Sequence, residues 1–216
     1  KKKIIFSMIS LYRNDNFKVY LAEAKKVGSK YLHVVHGGGL TFEKNYQYRF
    51  LGEVSDKIIR WDNDNVVQKK LFTNLSPTLP IIKLKKSKNG SACSIVFISQ
   101  LKYTVKFPIS PLLDQSIDFF NEVTQFVKGL NPEIKAKVKF RSKISSGYNP
   151  EKKFSEIFGE KFIDKASIKN TFEKTILNSK LIIVTYPQTA FSEAMYSNIP
   201  TILIIKTNDL QLSNEA

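Results

Sequence analysis

Ser179-Lys-Leu-Ile-Ile-Val-Thr-Tyr-Pro-Gln-Thr-Ala-Phe-Ser-Glu-Ala-Met-Tyr-Ser-Asn-Ile-Pro-Thr-Ile-Leu-Ile204 reads as a buried strand, a tight turn, a short helix and a second buried strand. Leu181 to Val184 and Ile202 to Ile205 are apolar runs of the kind found in strands covered on both faces, while Ala190 to Tyr196 has a helix-forming interior. Thr189 stands where the helix begins. Its hydroxyl and the first free amides of the helix would point at whatever lies beyond the carboxyl end of the strand, a place that favours a phosphate.

Moving outward, the second half repeats this alternation. Cys93 to Ser99 reads as a buried strand. Leu112 to Leu130 is an amphipathic helix with Ile117, Phe120, Val123, Phe126 and Val127 on one side, and Lys135 to Arg141 alternates as a strand. Phe154 to Ile157 and Ile168 to Leu177 are further helices. The first half reads likewise: Ile4 to Ser10 extended, Phe17 to Lys26 helical, and Tyr31 to Val35 a strand running into His36-Gly37-Gly38-Gly39. Val54 to Trp61 reads as a short edge strand. Between the halves, 63–90 has no clean period, contains Pro77 and Pro80 and ends in the lysine-rich Lys83 to Lys88, the composition of a linker. The boundaries are therefore 1–62, 63–90 and 91–216. Strands alternating with helices imply α/β folding with parallel sheets, whose ligands bind beyond the carboxyl ends of the strands.

Four loops fall at such ends. Gly37, Gly38 and Gly39 permit positive φ and close approach of backbone to a ligand, and His36 adds a group able to exchange a proton near neutral pH. His33, three residues earlier on the strand, reads as structural. The glycine run lacks the later glycine of a dinucleotide fingerprint and the Gly-Lys-Ser/Thr of a P-loop. Arg141 and Lys143 are two cations at one strand end, either solvated charges or a clamp on phosphate or carboxylate oxygens. Gln188 and Glu193 flank the helix start; a carboxylate there is worth about 0.3 to 1 kcal/mol through the helix dipole without any ligand, yet it also suits ribose hydroxyls. Ser99 follows the first strand of the second half.

Composition bounds the function. The 216 residues, 42% hydrophobic, suffice for one good core or two small ones. No apolar run approaches the roughly 20 residues of a membrane span. The lone Cys93 fits a reducing, cytoplasmic setting. A net charge of +15 suggests a polyanionic partner, but lysine supplies nearly all of it. Arg13, Arg49, Arg60 and Arg141 are the only arginines, too few for a reader of bases, so nucleic acid is disfavoured. One cysteine and only two histidines argue against a structural zinc site, and no Gly-x-Ser-x-Gly elbow offers a hydrolase nucleophile.

Two βαβ halves, a glycine-rich loop ending the first, and Tyr186-Pro187-Gln188-Thr189-Ala190-Phe191-Ser192-Glu193-Ala194 in the second resemble a GT-B glycosyltransferase. In that fold a nucleotide-sugar lies between two Rossmann-like domains. Val35-His36-Gly37-Gly38-Gly39, followed by Glu53-Val54-Ser55-Asp56-Lys57-Ile58-Ile59-Arg60-Trp61, is similar to a family of surface-carbohydrate biosynthesis transferases related to bacterial enzymes that use CMP-Kdo to build capsule and lipopolysaccharide. Gln188-Thr189 resembles the Gln-Ser/Thr pair that holds the cytidylyl phosphate there, and Glu193 matches the glutamate of their Glu-Ala helix. The His-Pro often found in those enzymes is replaced here after Phe140-Arg141-Ser142-Lys143, and the first domain corresponds only to the last portion of theirs.

The resemblance implies a metal-independent, cytoplasmic glycosyltransferase that needs no cofactor. Its partners would be a nucleotide-sugar, a glycan or lipid-linked glycan acceptor, and the anionic inner membrane surface to which its lysines would hold it. His36 would be the catalytic base. Gln188, Thr189, Ala190, Glu193, Arg141, Lys143 and Ser99 would bind the donor, and Gly37 to Gly39 would line the cleft. The chain is expected to be a fragment, its N-terminal domain incomplete. A sugar-nucleotide epimerase of the same architecture and a basic nucleic-acid-binding domain are the rival readings.

Overall fold

The computed structural model describes residues 2–35, 47–59, 71–72, 90–97, 113–142, 149–187 and 189–206. They form a mixed α/β structure with two separate parallel sheets, as the alternation of strands and helices implies. The first contains β1 (Ile4–Ser7), β2 (Lys30–Val34), β3 (Lys57–Ile59) and β4 (Leu71–Phe72) in that spatial order. Its helical segments are α1 (Ser10–Arg13), α2 (Asp15–Lys26) and α3 (Gln47–Val54). The second sheet has the order β6 (Val138–Ser142), β5 (Ala92–Phe97), β7 (Ser179–Val184), β8 (Thr201–Leu203). Around it lie α4 (Leu113–Gly129), α5 (Pro132–Lys135), α6 (Pro150–Phe158), α7 (Phe172–Asn178) and α8 (Thr189–Tyr196).

Local signals set several helix ends. The Asn14 side chain accepts from Phe17 N at 3.0 Å to start α2, and Asn149 accepts from Lys152 N at 3.0 Å ahead of Pro150 in α6. Gly159, at φ 103°, ends α6 in a conformation that few other residues tolerate.

Strand order decides which faces are covered. In the first sheet each crossover steps the same way, so a single handedness puts the helices on one face. Leu21 of α2 and Leu51 of α3 pack there with Ile5, Tyr31, Val35 and Ile58. On the other face Ile4 and Phe6 are 63% and 62% exposed. In the second sheet the chain steps outward in both directions from β5, and both faces are covered. Phe119, Phe120, Val123 and Val127 of α4 join Phe154 of α6 over Ile95, Phe97, Phe140 and Ile183. Ile176 of α7 and Ala194 of α8 cover Val96, Ile182 and Val184 on the opposite side. The first of these cores is aromatic: Phe140 stacks on Phe154 with centroids 4.2 Å apart and meets Phe97 at 5.8 Å and Phe120 at 6.1 Å.

Several sequence expectations shift. β4 extends the first sheet into 63–90, the stretch read as linker; two residues are too few to show a period. Residue Val54 ends a helix rather than starting a strand, because α3 carries its own apolar face. Residues 8–10 turn into α1 instead of continuing β1, and Lys135 ends a Pro-initiated helical turn capped by Asn131. Ile168 lies outside α7 and is 98% exposed. Finally, β8 is an edge strand with Ile202 47% exposed, so the apolar run there is not covered on both faces.

Candidate functional site

The reversal of direction at β5 creates a topological switch point between β5 and β7. In open parallel sheets the ligand crevice lies outside the carboxyl ends of the two strands at such a point. β7 leaves this edge through Thr185-Tyr186-Pro187, all buried, and α8 begins two residues later. Thr185 ties the exit to β5, its N–H donating to the Val96 carbonyl at 3.2 Å and its hydroxyl to the same oxygen at 3.3 Å. Thr189 is the first residue of α8. With eight residues the helix has a full first turn of amides without intrahelical acceptors. Glu193, one turn on, shares a helix face with Thr189. Ala190 and Ala194 turn instead to the sheet: Ala194 is fully buried and Ala190 packs beside it. Small side chains there let α8 sit close to the strands.

Arg141 is the penultimate residue of β6. It is in register with Val96, as Val184 is on the other side, so the three side chains share the face that carries α7 and α8. Two strand spacings separate the backbones of Arg141 and Val184, roughly 10 Å. Arg141 is not a solvated charge: its side chain is only 9% exposed. Nη2 donates to the Asn170 carbonyl at 2.9 Å, and Nη1 lies 3.5 Å from Asp164 Oδ2. Asp164 in turn accepts from Asn170 Nδ2 and from Thr175 Oγ1. Among the described residues Nη1 is buried with no hydrogen-bond partner and only the longer ion pair with Asp164, and such an N–H is costly to leave unbonded.

At the carboxyl edge of the first sheet a second polar cluster appears. The His33 side chain, wholly buried, lies between two phenols: Tyr12 Oη is 3.2 Å from Nε2 and Tyr31 Oη is 3.0 Å from Nδ1. Burial pushes its pKa down to about 4. The structural reading of His33 therefore holds at the level of packing.

Of the residues singled out from sequence, Thr189, Ala190 and Glu193 come together on α8, and Arg141 shares their sheet face. His36, Gly37, Gly38, Gly39, Ser99, Lys143 and Gln188 lie outside the described residues. Sequence reading missed Asp164, Asn170 and Thr175, the partners of Arg141, and Tyr12 and Tyr31, the partners of His33. Most of these contacts span 11 to 29 residues, so no local pattern announces them. Among the described residues no group of three or more His, Cys, Asp or Glu side chains could hold a metal ion, and no helix is long and apolar enough to cross a membrane.

No curated protein matches the chain. The family model for LIC12162 family transferases matches residues 1–216, the whole of the sequence. By that match the chain belongs to the LIC12162 family of transferases.

Proposed function

We propose that the transferred group is a sugar, carried by a nucleotide, and that the chain is a GT-B-type glycosyltransferase of bacterial surface polysaccharide or lipopolysaccharide synthesis. A CMP-Kdo-like donor is favoured by the resemblance of Gln188-Thr189 to the cytidylyl-phosphate motif. The observation that carries this reading is the pairing at one sheet edge of the α8 start with a buried Arg141 whose Nη1, among the described residues, is ion-paired with Asp164 but has no hydrogen-bond partner. Helix amides and a guanidinium are complementary to phosphate oxygens.

In this mechanism the bond between the anomeric carbon and the donor phosphate breaks, and the nucleotide leaves with the electron pair. The α8 amides, the Thr189 hydroxyl, Gln188 and Arg141 stabilise that developing charge without a metal. Lys143 and Ser99, which follow β6 and β5 in the sequence, would complete the phosphate contacts, while Glu193 accepts from the ribose hydroxyls. The acceptor oxygen forms the new bond, and its proton passes to His36, beyond the carboxyl end of β2, as general base. Gly37 to Gly39 let the backbone approach the sugar. Surface lysines hold the enzyme against the anionic cytoplasmic leaflet, where lipid-linked acceptors reside.

Thermal-shift measurement with CMP, UDP, GDP and a short oligonucleotide tests the reading. Stabilisation by a nucleotide, CMP above all, is expected; stabilisation by the oligonucleotide alone would sink it. Thr189→Val should abolish the nucleotide shift while leaving the unliganded melting temperature within a few degrees, and retained affinity would remove the helix start as the phosphate site.

A further inference from the structure

Tyr31, His33 and Tyr12 form one hydrogen-bonded string. It runs along the helix-covered face of the first sheet toward its carboxyl edge. Ser7 closes β1 and pairs in register with His33, the penultimate residue of β2. Ser7 Oγ accepts from Ser10 N at 3.1 Å. Tyr31 reaches His33 Nδ1, and Nε2 reaches the half-buried Tyr12 on α1, immediately beyond β1. Tyr12 and His33 also meet edge to face, their rings 5.4 Å apart.

A neutral imidazole has one N–H, so one phenol must donate to the ring and the other must accept from it. Burial raises the Tyr12 phenol to about 12 and lowers His33 to about 4, which keeps both uncharged at neutral pH. The string therefore has two polarities. In one, His33 Nε2 donates to Tyr12, and the Tyr12 O–H is free to donate outward. In the other, Tyr12 donates to Nε2 and offers only lone pairs. A ligand that meets both forms must itself donate and accept, and it should carry no charge. A sugar hydroxyl does this. Phosphate oxygens, which mainly accept, suit only the first polarity, and ammonium groups suit only the second.

We propose that Tyr12 contacts a hydroxyl of the saccharide at the carboxyl edge of the first sheet, and that His33 is the positioning residue that fixes the Tyr12 hydroxyl. This rests on the glycosyltransferase reading and adds to it a recognition residue and its support.

The chain has two histidines, so selective ¹⁵N-histidine labelling gives a simple spectrum, assigned with His33→Gln. The probes are free Kdo, methyl glucoside and methyl N-acetylglucosaminide, each compared with inorganic phosphate. At least one sugar should move the His33 Nε2 resonance, and phosphate should not. Tyr12→Phe should abolish that response and weaken sugar binding about tenfold, the value of one hydrogen bond, with stabilisation by CMP unchanged. His33→Gln, whose amide can still reach Tyr12, should retain more sugar affinity than His33→Asn, whose amide reaches only toward Tyr31. Sugar binding unaltered in Tyr12→Phe, an equal response to phosphate, or no sugar response in a protein that CMP stabilises would each overturn the inference. Loss of CMP stabilisation in the wild-type protein would instead remove the reading beneath it.

Discussion

Lowering the pH should unfold this protein through His33 before its carboxylates respond. The imidazole is completely buried, and its pKa falls from 6.5 in an open chain to about 4 because burial penalises the charged form. Between those values the unfolded state binds a proton that the folded state refuses, so stability falls as pH falls. The slope is about 1.4 kcal/mol per pH unit, and the full window from 6.5 to 4 is worth about 3 kcal/mol at most. Asp56 acts at lower pH. Burial raises its pKa, but bonds from Lys25 Nζ and Tyr31 N, both 2.8 Å, outweigh this and hold it below the ordinary value of 3.8. Its contribution is present above 3.8 and is lost only as pH falls through the depressed value. Urea denaturation followed by circular dichroism at pH 7, 6, 5 and 4 gives the comparison. His33→Gln does not titrate and breaks one of the two phenol contacts, so it should be about 1 kcal/mol less stable at pH 7. It should then lose about 3 kcal/mol less than the wild type on going to pH 4. Parallel curves for the two proteins would refute the assignment of a buried, neutral His33.

Phe140→Ala should cost about 3 to 5 kcal/mol, because Phe140 has no exposed surface and its ring joins Phe97, Phe120 and Phe154 into one aromatic cluster. A loss below about 1 kcal/mol in chemical denaturation would mean that this core is not packed as described. Gly90→Ala should destabilise by about 1 to 3 kcal/mol, since a Cβ there would stand 2.7 Å from the Ser179 carbonyl oxygen at the start of β7. An unchanged melting temperature would show that the segment before β5 does not lie against β7.

What could be read along the chain was whatever depends on near neighbours. The strand, turn and helix of 179–196 were visible because an apolar run, a Tyr-Pro turn and an alanine-bearing helix follow one another within 18 residues. α4 showed through its regular apolar spacing, and β5 through its unbroken run of buried residues. β4 and β8 were harder: one is two residues long, and the other owes its exposure to being the last strand of the sheet. Arg141 carried no sign of its burial either, because Asp164, Asn170 and Thr175 lie 23 to 34 residues further on.

The sequence by itself determined that strands and helices alternate, that the sheets are parallel, and that a helix starts at Thr189 just beyond a buried strand. Those properties follow from periodicity, turn chemistry and the length of each apolar run, all of them local. Tertiary structure alone decided that β5 lies between β6 and β7, and hence that Thr189 stands at a switch point with Arg141 on the same face. It also decided that His33 is locked between two phenols. Strand order and buried pairing join residues far apart in the chain, and the energy that selects them comes from covering both faces of a sheet and satisfying its buried polar groups.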